Sequence, residues 1–342
     1  MNLPCSKQKN PKVVQLAIRP TKYGRTYQEG FLSRRRVIFD NYQVSYFCDC
    51  LYAAESFTDT IDINMMNFFF CPDEYFRSNS HGSSASFVSM SECLEEYTKR
   101  NLTSDADSLN ACLGILNSCR TNPTYNFRGH LWGVPIPRTK LMMLLDWRHV
   151  GVSKRRPNFP SWSWAGWRGS VQHETLLLPT FTNRAEINLL DPKSQSISLE
   201  KYLEEGFSHV QDHPTTAPRR LQIKGKCPSF RVVHGLSTSS FSIRYVELAF
   251  SEIGIGLYAI HVDDELYVLN DFKNCLAVVL GCRTQHRPHH YSASLLFLKP
   301  TGNTYTRIGI SIINYESESP FGTAPAEPFW LQNAVERTVV VE

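Results

Sequence analysis

The sequence predicts an α+β protein: an N-terminal β-hairpin, a helical middle segment and a β-rich C-terminal unit of sandwich- or barrel-like form. Three observations lead there. Residues 37–47 hold two β-rich runs around Asp40-Asn41, residues 87–119 place apolar side chains at helical spacing, and seven short runs rich in Val, Ile, Leu and aromatic residues follow residue 220. The chain has 342 residues, enough for one large or two ordinary domains, and its 42% hydrophobic and 20% charged residues are those of a globular protein.

Residues 1–22 contain Lys and Pro without a sustained period and are expected to form an unstructured tail. In 23–50, Val37 to Phe39 and Val44 to Phe47 read as paired strands, because Asp40 and Asn41 both tolerate the positive φ of a tight turn. The region 51–170 is expected to be mostly helical. Phe87, Met90, Leu94 and Tyr97 fall on one face of a first helix. Thr103 or Ser104 is the expected N-cap of a second, with Asp105 and Asp107 in its first turn and Leu109, Cys112, Leu113, Leu116 and Cys119 as its apolar stripe. That helix should stop before Asn122-Pro123, and a short third helix is expected over Thr139 to Trp147. The region ends in FPSWSWAGW, where Trp162 and Trp164 alternate with Ser161 and Ser163 at the period of a strand. Residues 171–219 read as a loop-rich connection. In 220–342 the strand runs are 221–234, 241–250, 257–268, 275–284, 292–299, 305–313 and 337–341.

The net charge of +4 is unevenly placed. Residues 1–36 hold nine Lys or Arg against the single acid Glu29, so they carry +8 and the remainder −4. This is too weak to imply a nucleic-acid partner, and no apolar run reaches the roughly 18–20 residues that span a bilayer. The ten cysteines are scattered, and the opening residues, MNLPCSKQKNPK, contain no apolar stretch of signal length. The expected compartment is therefore cytoplasmic, with reduced thiols.

Four stretches, in this order, resemble the fungal heterokaryon-incompatibility (HET) domain family. YGRTYQEGFLSRRRVIF, Tyr23 to Phe39, is similar to the segment that closes the HET domain, and its Thr26, Tyr27, Gln28 and Glu29 match the family's run. EEYTKRNLTSDADSLNACLGIL, Glu95 to Leu116, resembles a two-helix segment through Asp107, Leu109 and Asn110. FPSWSWAGW, comprising Phe159, Pro160, Ser161, Trp162, Ser163, Trp164, Ala165, Gly166 and Trp167, resembles the family's most recognisable motif. LLFLKPTGNTYTRIGI, Leu295 to Ile310, is similar to a late strand pair. Arg25 stands where the family has Trp.

The resemblance implies self/non-self recognition and programmed cell death in fungi. It also implies that most of the HET domain, a fold similar to Toll/interleukin-receptor domains, would lie upstream of Tyr23, so that 23–50 is its remnant. A truncated member acting through protein contacts is the leading expectation. The alternatives are a non-functional product of a broken gene model, or part of an NAD-cleaving enzyme whose catalytic domain lies elsewhere.

No nucleophile elbow, P-loop, dinucleotide fingerprint or paired zinc motif is found, so no catalytic residue, cofactor or metal is expected. Cys48, Cys50 and Cys71 with His81, and His286, His289 and His290, are weak metal candidates without a second tight ligand pair. Arg34-Arg35-Arg36 and Lys154-Arg155-Arg156 read as solvated faces, and the tryptophans as core rather than cleft. Glu29 would be catalytic only within an intact HET domain. An unidentified protein partner is expected, with self-association through residues 27–48.

Overall fold

The computed structural model describes residues 14–16, 24–33, 35–39, 43–48, 51–56, 61–62, 86–121, 127–137, 145–150, 153–173, 181–205, 217–230, 232–237, 243–249, 255–262, 274–284, 290–316 and 329–342. They form a mixed α/β protein made mostly of strands. The chain divides into two compact units, Met1–Ser84 and Ala85–Glu342, so the expected middle region 51–170 straddles the divide.

The first unit is a five-stranded sheet with one helix. Strand β1 (Val14–Leu16) lies parallel to β2 (Arg35–Phe39), which continues antiparallel through β3 (Val44–Cys48), β4 (Leu51–Ala54) and β5 (Ile61–Asp62). The expected hairpin is the β2–β3 pair, with Phe39 opposite Val44; its turn residues Asp40 and Asn41 lie outside the described residues. One expectation is corrected, and one element was not anticipated. The 1–22 segment is not wholly a tail, because Val14, Gln15 and Leu16 find a partner edge on β2. The stretch before the hairpin is a helix, α1 (Gly24–Leu32), whose Tyr27 and Phe31 are one turn apart and buried.

In the second unit, α2 (Ser86–Thr98) buries Leu94 and Tyr97 as the helical spacing predicts. The second expected helix is interrupted. It forms as α3 (Asp107–Asn110) and α4 (Leu113–Thr121), separated at Ala111 and Cys112, and it ends just before Asn122-Pro123. Its cap is Ala106 with no side-chain bond; Ser104 contributes only its backbone carbonyl, to Asp107 N.

The rest of 51–170 is not mostly helical among the described residues. It holds the ribbon β6 (Phe127–Leu131) with β7 (Val134–Pro137), then β8 (Trp147–His149) and β9 (Lys154–Arg155). Trp147 therefore opens a strand instead of closing the expected third helix, of which 139–144 lie outside the described residues. Strand β10 (Trp167–Arg168) pairs with β9, and β11 (Val171–His173) with β8. The described residues of the 171–219 connection hold further elements: β12 (Phe181–Asn183), β13 (Ala185–Leu190), β14 (Ser196–Ser198) and α5 (Leu199–Glu205).

The expected C-terminal runs are all strands, the first of them split in two. They are β15 (Arg220–Cys227), β16 (Val232–Ser237), β17 (Ile243–Ala249), β18 (Ile255–Val262), β19 (Leu276–Thr284), β20 (His290–Thr301), β21 (Thr304–Glu316) and, after the short helix α6 (Phe329–Gln332), β22 (Val335–Val341). With β12–β14 they make an eleven-stranded sheet, running β12-β19-β20-β21-β22-β15-β13-β14 with β16-β17-β18 branching from β21. The strand path returns on itself. Strand β12 pairs with β19 and β13 with β15, and only Arg184, whose N–H donates to Leu280 O, separates the two. Residues 277–282 and 291–298 are buried without alternation, so both faces of β19 and β20 are covered. One face contributes Val279, Cys282, Leu295, Phe297 and Ile313 to a core closed by Trp330 and Leu331.

Candidate functional site

The FPSWSWAGW segment is not a strand. It is a compact turn running into a 3-10 turn at Trp164–Gly166, and only Trp167 begins a strand. Alternation failed as a guide because the serines are as buried as the tryptophans: Ser161 and Ser163 are 0% exposed and Trp162, Trp164 and Trp167 1%. With no solvent face, the chain can fold on itself. Ser163 Oγ caps the 3-10 turn by accepting from Ala165 N (3.0 Å) and donates to Trp132 O (2.6 Å). Gly166 has no room for a side chain, since a Cβ there would stand 2.3 Å from Pro160 O.

Each indole around this turn is held by a main-chain carbonyl. Trp132 Nε1 donates to Pro218 O (2.9 Å), Trp147 to Trp162 O (3.2 Å), Trp162 to Arg219 O (2.8 Å), Trp164 to Gly133 O (2.8 Å) and Trp167 to Ser161 O (2.7 Å). Gly133, at φ +87, lets its backbone meet Trp164, since a Cβ there would lie 2.7 Å from the indole. Three arginines cover indole rings, with Arg155 5.4 Å from the Trp167 centroid, Arg219 5.5 Å from Trp132 and Arg307 3.5 Å from Trp147. Arg307 is 0% exposed and donates to Leu145 O (2.8 Å) and Trp147 O. It stands beside a β-bulge in β21, and its N–H donates to Ser161 Oγ at 3.1 Å.

The helices dock on the same turn. Tyr97 OH donates to Ser108 O (2.8 Å) while its ring meets Trp164 edge-on, and burial pushes this phenol well above its ordinary range. Ser108 Oγ donates to Ala165 O (3.2 Å). Arg156, 7% exposed, reaches Asp105 Oδ1 through Nε (2.9 Å), Ser108 Oγ (3.0 Å) and Trp167 O. Burial lowers the Arg156 guanidinium from its ordinary value against the pull of Asp105. Burial would raise the Asp105 carboxyl, but hydrogen bonds from Arg156 and Arg168 outweigh it and hold that group below its usual value.

At the outer edge of this network lies a cavity of about 550 Å³, lined among others by Lys99, Arg100, Ser153, Lys154, Arg168 and Ser170. Arg156 also lines it, as does Gly169 at φ +141. Ser153 is 2% exposed, and neither its hydroxyl nor that of Ser170 has a hydrogen-bond partner among the described residues.

His149 and His173 lie on the paired strands β8 and β11, and both are buried. Burial, reinforced by the Arg307 charge, depresses His149 to about 3 and His173 to about 4. His130, buried on β6, is likewise depressed to about 4 by burial and then by Arg120. These imidazoles are neutral at pH 7.

The structure brings together Asp107, Leu109 and the nine residues from Phe159 to Trp167 around one core; Leu109 is 2% exposed, Asp107 half-buried and Asn110 exposed. Thr26, Tyr27, Gln28 and Glu29 belong to α1 in the first unit, where Tyr27 is buried and the Glu29 side chain exposed. Of Lys154-Arg155-Arg156 only Lys154 is exposed. This corrects the expected solvated face: Arg155 is drawn in by the carbonyls of Arg156, Phe159 and Gly166, and Arg156 by Asp105. Cys50, Cys71, His81, His286 and His289 lie outside the described residues, as do the side chains of Cys48 and His290. Among the described residues no group of three His, Cys, Asp or Glu could hold a metal ion, and no helix is long and apolar enough to cross a membrane.

Arg307, Trp147, Trp132, Ser153 and Ser170 were not singled out from the sequence. Arg307 lies inside the LLFLKPTGNTYTRIGI stretch, and a lone arginine in an otherwise apolar and hydroxyl-bearing strand was the available signal. Compared with known proteins, the chain matches no family model, no curated protein and no solved structure.

Proposed function

We propose that the chain is a heterokaryon-incompatibility-type protein, acting in self/non-self recognition and programmed cell death through protein contacts rather than catalysis. One observation supports this reading. Three of the four resembling stretches, up to about two hundred residues apart, meet at one point of the second unit. Tyr97 and Ser108 from the second stretch bond or pack on Trp164 and Ala165 of the third, and Arg307 of the fourth donates to Ser161. Stretches that recur together in a family for structural reasons are those that pack together. The buried motif then serves as the framework that holds the unit's surface. The strand path closing through Arg184 supports reading the C-terminal sheet as barrel-like. The six described cysteines that form no disulfide fit the reducing cytoplasm.

The test is expression of the chain in a filamentous fungus, scoring uptake of a vital dye by fusion cells across a panel of strain pairs. Dye uptake above the empty-vector level in some pairs and not others is expected. Uniform uptake, or none above the vector, overturns the recognition reading. Release of nicotinamide from NAD by the purified chain above a buffer blank overturns the non-catalytic part.

A further inference from the structure

We infer that the basic cavity beside the tryptophan core is a binding site for a small phosphorylated polyol, such as a sugar phosphate. Its lining is one-signed: Lys99, Arg100, Lys154, Arg156 and Arg168 face it and no carboxylate does. Two acids lie nearby and are already shared. Glu96 Oε1 accepts from Lys99, and the single oxygen Asp105 Oδ1 accepts from both Arg156 and Arg168, the latter at 2.9 Å. One carboxylate cannot neutralise two guanidinium groups. Lys154, exposed on β9, makes no ion pair among the described residues.

The second observation is independent of charge. Burying a hydroxyl without a partner is costly, yet Ser153 and Ser170, which both line this cavity, leave theirs shielded and unbonded among the described residues. Rotation about χ1 would bring either hydroxyl to the tetrahedral oxygens of a bound anion, which supply acceptors for both. Arginines on facing elements supply the charge-assisted donors that phosphate oxygens favour.

Size and lining choose the rest of the ligand. At about 550 Å³ the cavity is far larger than one phosphate group and within the range of small-molecule sites. No aromatic ring lines it, so it offers no platform on which a base could stack. Asn101 and Gly169 add uncharged polar groups to the lining, suited to the hydroxyls of a polyol.

Titration calorimetry of the full chain with glucose 6-phosphate, inorganic phosphate, AMP and unphosphorylated glucose tests this. Glucose 6-phosphate should bind at least tenfold more tightly than phosphate or AMP, with no heat from glucose. Lys154→Glu and Arg168→Glu alter exposed side chains and should fold normally by circular dichroism, while weakening that binding at least tenfold each. Because a phosphate monoester loses its second proton near a pKa of about 6, binding should also weaken from pH 7.5 to 5. The proposal is overturned if no heat is seen up to millimolar glucose 6-phosphate, if AMP or phosphate binds as tightly, or if both folded variants bind as the parent does.

Discussion

The five indoles around the SWSWAGW turn and the hydroxyls of the neighbouring cavity are buried polar groups only a short stretch of chain apart, and the fold treats them differently. Every one of the five N–H groups reaches a carbonyl at 2.7–3.2 Å. Ser153 and Ser170 reach nothing among the described residues. A folded chain loses about 1–3 kcal/mol for each buried polar group it leaves unpaired. The indole shell therefore satisfies its polar groups within the fold, and the residues lining the cavity leave two hydroxyls without a partner among the described residues. The comparison separates the residues that make this unit stand from those available to a ligand, and each can be tested by asking which observable responds when it is changed.

The largest effect should come from acid, which attacks the dry side of the comparison. An imidazole whose folded pKa is depressed stays neutral in the native state while the unfolded chain takes up a proton. Its contribution is present above the unfolded value of 6.5 and is lost as pH falls from there toward the folded value of about 4 for His130 and His173 and about 3 for His149. Each site should lose on the order of 3 kcal/mol by pH 4. Denaturant midpoints measured from pH 7 to pH 4 should fall steeply below pH 6.5. A flat profile would mean that these imidazoles take up protons as readily in the native protein as in the unfolded chain, and that the core is wetter than its geometry implies.

Removing one indole is the next largest change. Trp164 is 1% exposed, packs on Tyr97 and Gly133, and donates to Gly133 O. Trp164→Ala should lower unfolding free energy by about 3–5 kcal/mol, read as a lower denaturant midpoint. A variant that unfolds at the parental midpoint would show that this shell is not what stabilises the unit.

The same comparison explains what was legible in the sequence. The C-terminal strands were visible because β-branched and aromatic runs bounded by Gly, Asn and Pro encode them locally; the turn of the β20–β21 hairpin, with Gly302 at φ +61, is of this kind. The α2 helix was visible because Leu94 and Tyr97 face one way. The SWSWAGW turn was misread as a strand because period-two alternation implies one wet face, and here Ser161 and Ser163 are bonded inside the core to Glu342 O and Trp132 O. Those partners lie far along the chain, where no local pattern can point to them. The cavity was illegible for the same reason. Its lining comes from 98–102, from 153, 154 and 156, and from 168–170, three short pieces joined only by tertiary folding. In sequence, Lys154-Arg155-Arg156 looks like one cluster, whereas in space its members have three different environments.

The smallest effect on stability is expected at the cavity wall, and there the comparison is sharpest. Ser153 is as buried as the core serines, so burial alone would rank Ser153→Ala beside the loss of Ser163, whose hydroxyl holds both the 3-10 turn and Trp132 O. Bonding ranks them differently. Removing the Ser163 hydroxyl leaves two groups without their partner, whereas removing that of Ser153 deletes an oxygen that has none among the described residues. Removing an unpaired buried hydroxyl relieves desolvation, so Ser153→Ala should leave the denaturant midpoint within about 0.5 kcal/mol of the parent or raise it. Ser163→Ala should lower it by about 1 kcal/mol or more. If Ser153→Ala is instead the more damaging change, its hydroxyl is bonded in the native protein, and the cavity wall belongs with the core it borders.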